Sequence, residues 1–191
     1  MDWFSGMAVF PGIILGLAVS RTLTGLAYLV VNSGRVRWSW PPVAWGLFFI
    51  IVSANYWWNL LANWGYLKNY TINEFFYLLA SPMTLFFMAA LLFQSLPPSG
   101  QIDLWDHFDR VRPWFFTFAG IHVVLYVVDS YLLARNTRTS FVSTLPVGQL
   151  IITLAIAALL GVGAFLGSKT FHRLLFPIVL ILFIVLYRFF V

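Results

Sequence analysis

Six long apolar stretches dominate this chain and decide what it can fold into. They run over about residues 4–31, 42–65, 73–93, 113–134, 145–167 and 172–191. A helix needs roughly 20 apolar residues to cross the hydrocarbon core of a bilayer, and each stretch is about that long. Only 9% of the residues are charged and 61% are hydrophobic, so the chain cannot build a water-soluble surface. We therefore predict an all-α bundle of about six transmembrane helices, forming a single domain over residues 1–191.

The longest connector between these stretches has a helical pattern of its own. In the segment "QIDLWDHFDRVR", apolar side chains recur at helical spacing with charged side chains between them. The apolar positions are Ile102, Trp105, Phe108 and Val111. This pattern predicts a short amphipathic helix that lies in the headgroup plane before the fourth span turns inward.

The residue types present limit the chemistry. The chain has no cysteine, which excludes disulfides, thiolate nucleophiles and Cys-ligated metal sites. It contains no nucleophile elbow, phosphate-binding loop or zinc-protease motif, so a membrane enzyme is only the third of the functions considered. Asp103, Asp106 and His107 are spaced for one helix face, which makes them a weak candidate metal site. His107 and His172 fall at the membrane edges and cannot easily pair with His122 across one porphyrin, which disfavours haem.

A few polar residues fall at membrane depth. Ionisable side chains there are costly, by about 2.5–3.5 kcal/mol on insertion scales, and often mark functional sites. Arg21, His122 and Asp129 are residues of this kind. With a rise of about 1.5 Å per residue, they fall in one central slab, which also contains the polar residues Asn55, Asn59 and Tyr126.

Three interpretations of this slab stay open. The first is an inert buried ion pair between Arg21 and Asp129 that fixes helix packing. The second is an Arg21 side chain that snorkels to the nearer interface. The third is a site for an ion, a proton or a polar ligand, built around these polar residues.

Glycines at four-residue spacing predict close helix contacts. Gly12 and Gly16 lie on the first span, and Gly163 and Gly167 lie on the fifth. In a membrane, small residues at this spacing let two helix backbones approach closely. We expect such contacts within the bundle or between protomers, so a homo-oligomer or a subunit of a membrane complex is predicted.

The basic residues indicate partners and orientation. The net charge is +5, but the charges are scattered rather than gathered in a run, which favours lipid headgroups over nucleic acid. With six spans, both termini share one side of the membrane. If the termini lie outside, the inner loops hold Arg35, Arg37, Arg110, Arg112, Lys169 and Arg173, and the outer side holds Lys68, Arg135, Arg138 and Arg188. The positive-inside rule therefore weakly predicts termini outside.

Three motifs carry a resemblance. "LGLAVSRTLTGL", "RVRWSW" and the "WW" of the second span resemble an uncharacterised group of small multi-pass bacterial inner-membrane proteins, over mainly the first hundred residues. The resemblance implies a bacterial inner membrane and no activity. Many members carry a His shortly after the "RVRxxW" element, whereas Pro41, Pro42 and Val43 stand there in this chain, so a role for that His has no support here.

Two functions follow from these features. The polar slab favours permeation or transport of a small ion or solute. The nine Trp and twenty Phe are compatible with a non-catalytic subunit or sensor that binds a lipophilic ligand such as a quinone, a lipid or a pigment. A water-accessible path into the slab would favour permeation, and an aromatic-lined opening would favour a lipophilic ligand.

Overall fold

The computed structural model describes residues 3–64, 71–93, 100–137 and 145–190. Six α-helices make up nearly all of this part of the chain: α1 Trp3–Val31, α2 Trp40–Asn59, α3 Ile72–Phe93, α4 Leu104–Thr137, α5 Val147–Phe165 and α6 Lys169–Phe190. Each contains a stretch long and apolar enough to cross a membrane. The predicted all-α bundle of six spans is therefore confirmed.

Local polar caps fix where helices begin. At α3 the backbone N–H of Thr71 donates to Glu74 Oε2 at 2.8 Å, and the N–H of Glu74 donates to Thr71 Oγ1 at 3.3 Å. This is a reciprocal capping box. At α4 the Asp103 carboxylate accepts hydrogen bonds from the N–H groups of Trp105 and Asp106, at 2.9 and 3.1 Å. Caps of this kind depend only on neighbouring residues, so a helix start can be predicted from sequence.

The segment predicted as a separate interfacial helix is the beginning of α4. The helix runs unbroken from Leu104 to Thr137, with Pro113 inside it. Leu104 and Phe108 are buried, and His107 is 3% exposed. The segment therefore packs against the bundle along its buried side.

Two short strands join distant parts of the chain. β1 Val36–Arg37 follows α1, and β2 Ile102–Asp103 precedes α4; they pair in parallel. Beside them the Lys169 ammonium, at the start of α6, lies 5.4 Å from the centroid of the Trp105 ring. We call this end of the bundle the β end. The helices α2, α4 and α6 all start there, and the helix α5 runs the other way.

Aromatic rings form the core between α2, α4 and α6. Trp45 is 3% exposed, and its ring meets those of Phe115, Phe116 and Phe176 nearly edge-on, at centroid distances of 5.8, 5.5 and 5.2 Å. Edge-to-face pairs of this kind add to the stabilisation from burial. The outer face of the bundle is apolar too, with exposed side chains that suit lipid, such as Ile51, Leu154 and Ile181.

Candidate functional site

A cavity of about 150 Å³ lies within the bundle, lined by residues of α2 to α6. Most of its wall is aromatic or aliphatic. Among the described residues, amide, imidazole and hydroxyl groups contribute to the lining at five positions: Asn55, Asn59, His122, Tyr126 and Thr153. Four of the six residues predicted for the intramembrane polar site are therefore gathered here.

The polar and apolar parts of this wall are separated. Asn55 and Tyr126 lie in the later halves of α2 and α4, away from the β end. Thr153 is near the start of α5, which falls at the same end because α5 runs in the opposite direction. The β half is lined by apolar residues such as Phe115 and Leu160. The cavity therefore has one apolar end and one hydrogen-bonding end.

His122 is anchored by α3. Its Nδ1 lies 3.1 Å from Thr84 Oγ1, and the Thr84 hydroxyl also lies 2.7 Å from the carbonyl oxygen of Ser81. Within the described part of the chain, no residue bonds the other ring nitrogen, Nε2. The contact with Thr84 thus holds the imidazole in place while one ring nitrogen stays available at the cavity wall.

Asn55 and Asn59 form a linked pair, one turn apart on α2. Asn59 Nδ2 donates to the backbone oxygen of Asn55 at 3.0 Å and to Asn55 Oδ1 at 2.7 Å. A backbone oxygen only accepts hydrogen bonds, so the bonded atom of Asn59 must be the amide nitrogen. This fixes the orientation of both amides.

The polar end includes residues that the sequence pattern did not single out. Gln149 Nε2 donates to the Tyr126 hydroxyl, and Thr153 Oγ1 donates to the backbone oxygen of Gln149 at 2.8 Å. Gln149 and Thr153 are four residues apart in an otherwise apolar helix. That spacing places them on one helix face and was the available signal. Thr84, which bonds His122, had no comparable signal.

Asp129 lies outside the cavity lining, further along α4. Its Oδ1 is buried, as is the Ser81 hydroxyl, and the two side chains are neighbours. Ser81 lies near both Asp129 and Tyr56, and the Tyr56 hydroxyl donates to the backbone oxygen of Leu78 at 2.8 Å. This forms a second polar group outside the cavity lining, connected to His122 through Ser81 and Thr84.

Arg21 belongs to neither group. It is exposed on α1, and its guanidinium carbon lies 5.5 Å from the centroid of the Phe86 ring. No ion pair joins it to Asp129 in the described part of the chain. The Phe86 ring is the neighbour of the guanidinium in place of the carboxylate of the ion-pair interpretation, because a cation is attracted to the face of a ring.

The candidate metal ligands also serve other purposes. Among the described residues, no group of three or more His, Asp or Glu side chains could hold a metal ion. Asp103 caps α4, and Asp106 is exposed. His107 Nε2 lies 3.1 Å from the backbone oxygens of Leu91 and Leu92. The imidazole is therefore turned into the bundle and away from the two carboxylates.

Two of the predicted glycines make close contacts within the chain. A Cβ atom on Gly12 would lie 3.1 Å from the Trp57 ring. One on Gly163 would lie 2.8 Å from Leu175 Cδ2. The side chain of Trp57 on α2 therefore packs against the backbone at Gly12, and that of Leu175 on α6 packs against the backbone at Gly163.

The other two predicted glycines differ. Gly16 has nothing within 4 Å of an added Cβ. Gly167 lies beyond the end of α5, where an added Cβ would lie 3.0 Å from Arg112 Nη1. The four-residue spacing therefore does not describe a continuous seam on either helix of this single chain.

Comparisons with known proteins assign this chain to no family. No family model matches it, and no curated protein or solved structure is significantly similar to it. Function must therefore be inferred from the cavity and the residues around it.

Proposed function

We propose that this membrane protein binds a lipophilic molecule with an uncharged polar end. The supporting observation is that the cavity is divided into an apolar half and a hydrogen-bonding half. Small-molecule sites are usually apolar with a few polar groups that fix orientation. A ligand with an apolar body towards Phe115 and a polar group towards Asn55 would satisfy both halves.

The size of the cavity limits what enters it. An apolar cavity of about 150 Å³ holds a molecule of the size of benzene, and this one has a similar volume. It therefore suits a single ring or a short part of a chain. The rest of a longer ligand would lie between helices or in the surrounding lipid.

Filling the cavity tests this function. Ala119 is a buried lining residue of α4, whereas Ala155 is exposed on α5. Ala119→Phe should exclude the ligand, and Ala155→Phe is the matched control that adds the same ring facing lipid. We expect organic extracts of the purified wild type and of Ala155→Phe to contain an amphiphile that Ala119→Phe lacks. Identical extracts from three folded proteins would contradict the proposal.

Permeation of a small ion or solute is the second candidate. It is favoured by the buried Asp129 carboxylate beside the Ser81 hydroxyl, because an ionisable group at membrane depth often belongs to an ion or proton path. A proteoliposome assay with a pH-sensitive dye tests it. Proton flux that Asp129→Asn abolishes would favour this function; flux equal to that of empty liposomes would remove it.

We infer a bacterial inner-membrane location from the resemblance in the first hundred residues, with membrane lipids around the exposed apolar face. We also predict that the chain associates with further copies or with another subunit of a membrane complex. Native mass spectrometry in detergent would test this.

A further inference from the structure

We infer that the polar end of the cavity recognises a hydroxyl group, so that the ligand is an uncharged lipophilic alcohol or phenol. This inference rests on the proposed function and names its ligand class. It depends on which hydrogen-bonding atoms the protein has already used and which it leaves to the cavity.

The unused acceptor is His122 Nε2. The Thr84 hydroxyl has one hydrogen, and the Ser81 carbonyl oxygen, at 2.7 Å, can only accept it. Thr84 Oγ1 must then accept from His122 Nδ1, at 3.1 Å, so the hydrogen of the neutral imidazole is on Nδ1. Nε2 is left with a lone pair. The apolar lining accommodates this neutral form, because burying an unpaired charge is costly.

The unused donor is the amide nitrogen of Asn55. Asn59 Nδ2 bonds the backbone oxygen of Asn55, which fixes it as nitrogen, so the Asn55 atom 2.7 Å away from it is Oδ1. The Asn55 NH2 group then has no partner among the described residues. Asn55 and His122 both line the cavity, so these two residues offer it one donor group and one acceptor.

A hydroxyl group matches this pair. It can donate to Nε2 and accept from an amide N–H, whereas an ether or a carbonyl oxygen only accepts and would face a lone pair on Nε2. A carboxylate would bring a charge into a lining whose described residues include no Lys or Arg. A site built to bond a hydroxyl strongly rejects the analogue that lacks its hydrogen, because the buried partner is then left unpaired.

Two probes of the same shape test the inference. We would measure binding of 4-hexylphenol and its methyl ether, 4-hexylanisole, to the protein in nanodiscs, with protein-free nanodiscs correcting for partition into lipid. We expect the phenol to bind at least tenfold more tightly. In His122→Phe this preference should fall below threefold. Thr84→Val, which removes the acceptor for Nδ1–H, should also reduce it.

The cavity variants separate the two proposals. If wild type binds both probes equally and Ala119→Phe removes both, the cavity binds lipophiles and the hydroxyl inference is overturned. If wild type binds neither probe, or Ala119→Phe binds them as wild type does, both proposals are overturned.

A spectroscopic measurement needs no stable variant of the site. The chain has three histidines, so ¹⁵N-histidine labelling gives a simple NMR spectrum. In it, His122 should show a hydrogen on Nδ1 and none on Nε2. Addition of 4-hexylphenol should shift the Nε2 resonance, and addition of 4-hexylanisole should not. A hydrogen on Nε2 of His122 in the unliganded protein would overturn the inference.

Discussion

The Arg21 guanidinium faces the Phe86 ring on the outside of the bundle, and the Asp129 carboxylate is buried on a different helix. Because the two do not meet, Arg21→Met should cost at most about 1 kcal/mol, the value of an exposed cation–π contact. Combined with Asp129→Leu, its effect on the free energy of unfolding should add within about 0.5 kcal/mol. Thermal unfolding in detergent measures this double-mutant cycle. Strong coupling would mean that the two side chains pair in the membrane.

The carboxyl group of Asp103, at the β end, should make the stability of the fold depend on pH. Burial acts to raise the pKa of its carboxyl, but the N–H groups of Asp106 and Trp105 and the charges of Arg37 and Lys169 lower that pKa below its ordinary value. A carboxyl whose pKa is lower in the folded state stabilises that state above the unfolded pKa, and the stabilisation is lost as the pH falls through the folded pKa.

We therefore expect the melting temperature of the wild type to fall as the pH drops below about 4, the ordinary pKa of Asp. Asp103→Asn should weaken this fall. Asp106→Asn, at an exposed position one turn later, is the control. It should leave the fall of the melting temperature at low pH unchanged. If the melting temperatures of wild type and Asp103→Asn fall equally at low pH, Asp103 is not the group responsible.

Depth along a helix was predictable from sequence, and rotation about its axis was not. Counting residues placed Asn55, Asn59, His122 and Tyr126 in one slab, and they share one cavity. Arg21 lies at a similar depth, but it is exposed while the adjacent Thr22 is fully buried. Neighbouring helix residues point about 100° apart, so only the packing of α1 decides which of them faces inward. In so apolar a helix, hydrophobicity does not mark the buried side.

At the scale of elements, Gly163 brings α5 against α6 and α4. An added Cβ would lie 2.8 Å from Leu175 and 3.4 Å from Phe116, whereas one on Gly161 would meet nothing within 4 Å. Gly163→Leu should therefore destabilise the protein by about 1–3 kcal/mol, as overpacking does. Gly161→Leu, on the same helix, is the matched control and should be nearly neutral.

Thermal stability in detergent and native mass spectrometry would read out this pair of variants. A loss of stability without a change in the number of associated chains is expected, because the contacts of Gly163 lie within one chain. If Gly163→Leu melts like Gly161→Leu, α5 does not pack on α6 as described.

The beginning of α4 was predicted as a separate helix. Apolar residues at helical spacing, with charged residues between them, predicted a short helix in the headgroup plane before the fourth span. The helix continues because Leu104 and Phe108 pack into the core while the charged side of the same turns faces outward. Pro113 is tolerated within it, and the Thr117 hydroxyl donates to the Pro113 carbonyl at 2.8 Å. Whether an amphipathic segment meets headgroups or another helix depends on neighbours that are distant in sequence.

For the whole molecule, the bundle has two chemically different ends. The β end holds the paired strands and the apolar half of the cavity, and the opposite end holds its hydrogen-bonding half. The number of spans and the polar slab could be predicted, because both depend on residue counts along the chain. The cavity could not, because its walls come from α2 to α6, whose relative rotations are set only by packing.

The distribution of basic residues predicts how these two ends are oriented in the membrane. The β end connects to loops and helix ends with six basic residues, against four on the opposite side, so the positive-inside rule weakly predicts that it faces the cytoplasm and that both termini lie outside. Alkaline phosphatase fused at either terminus should be active, and green fluorescent protein there should be dark. Replacing Arg35, Arg37, Lys169 and Arg173 by Gln should shift the chain towards the inverted orientation. Cytoplasmic signals at both termini of the wild type would reverse the assignment, and signals on opposite sides would mean that not all six helices span the membrane.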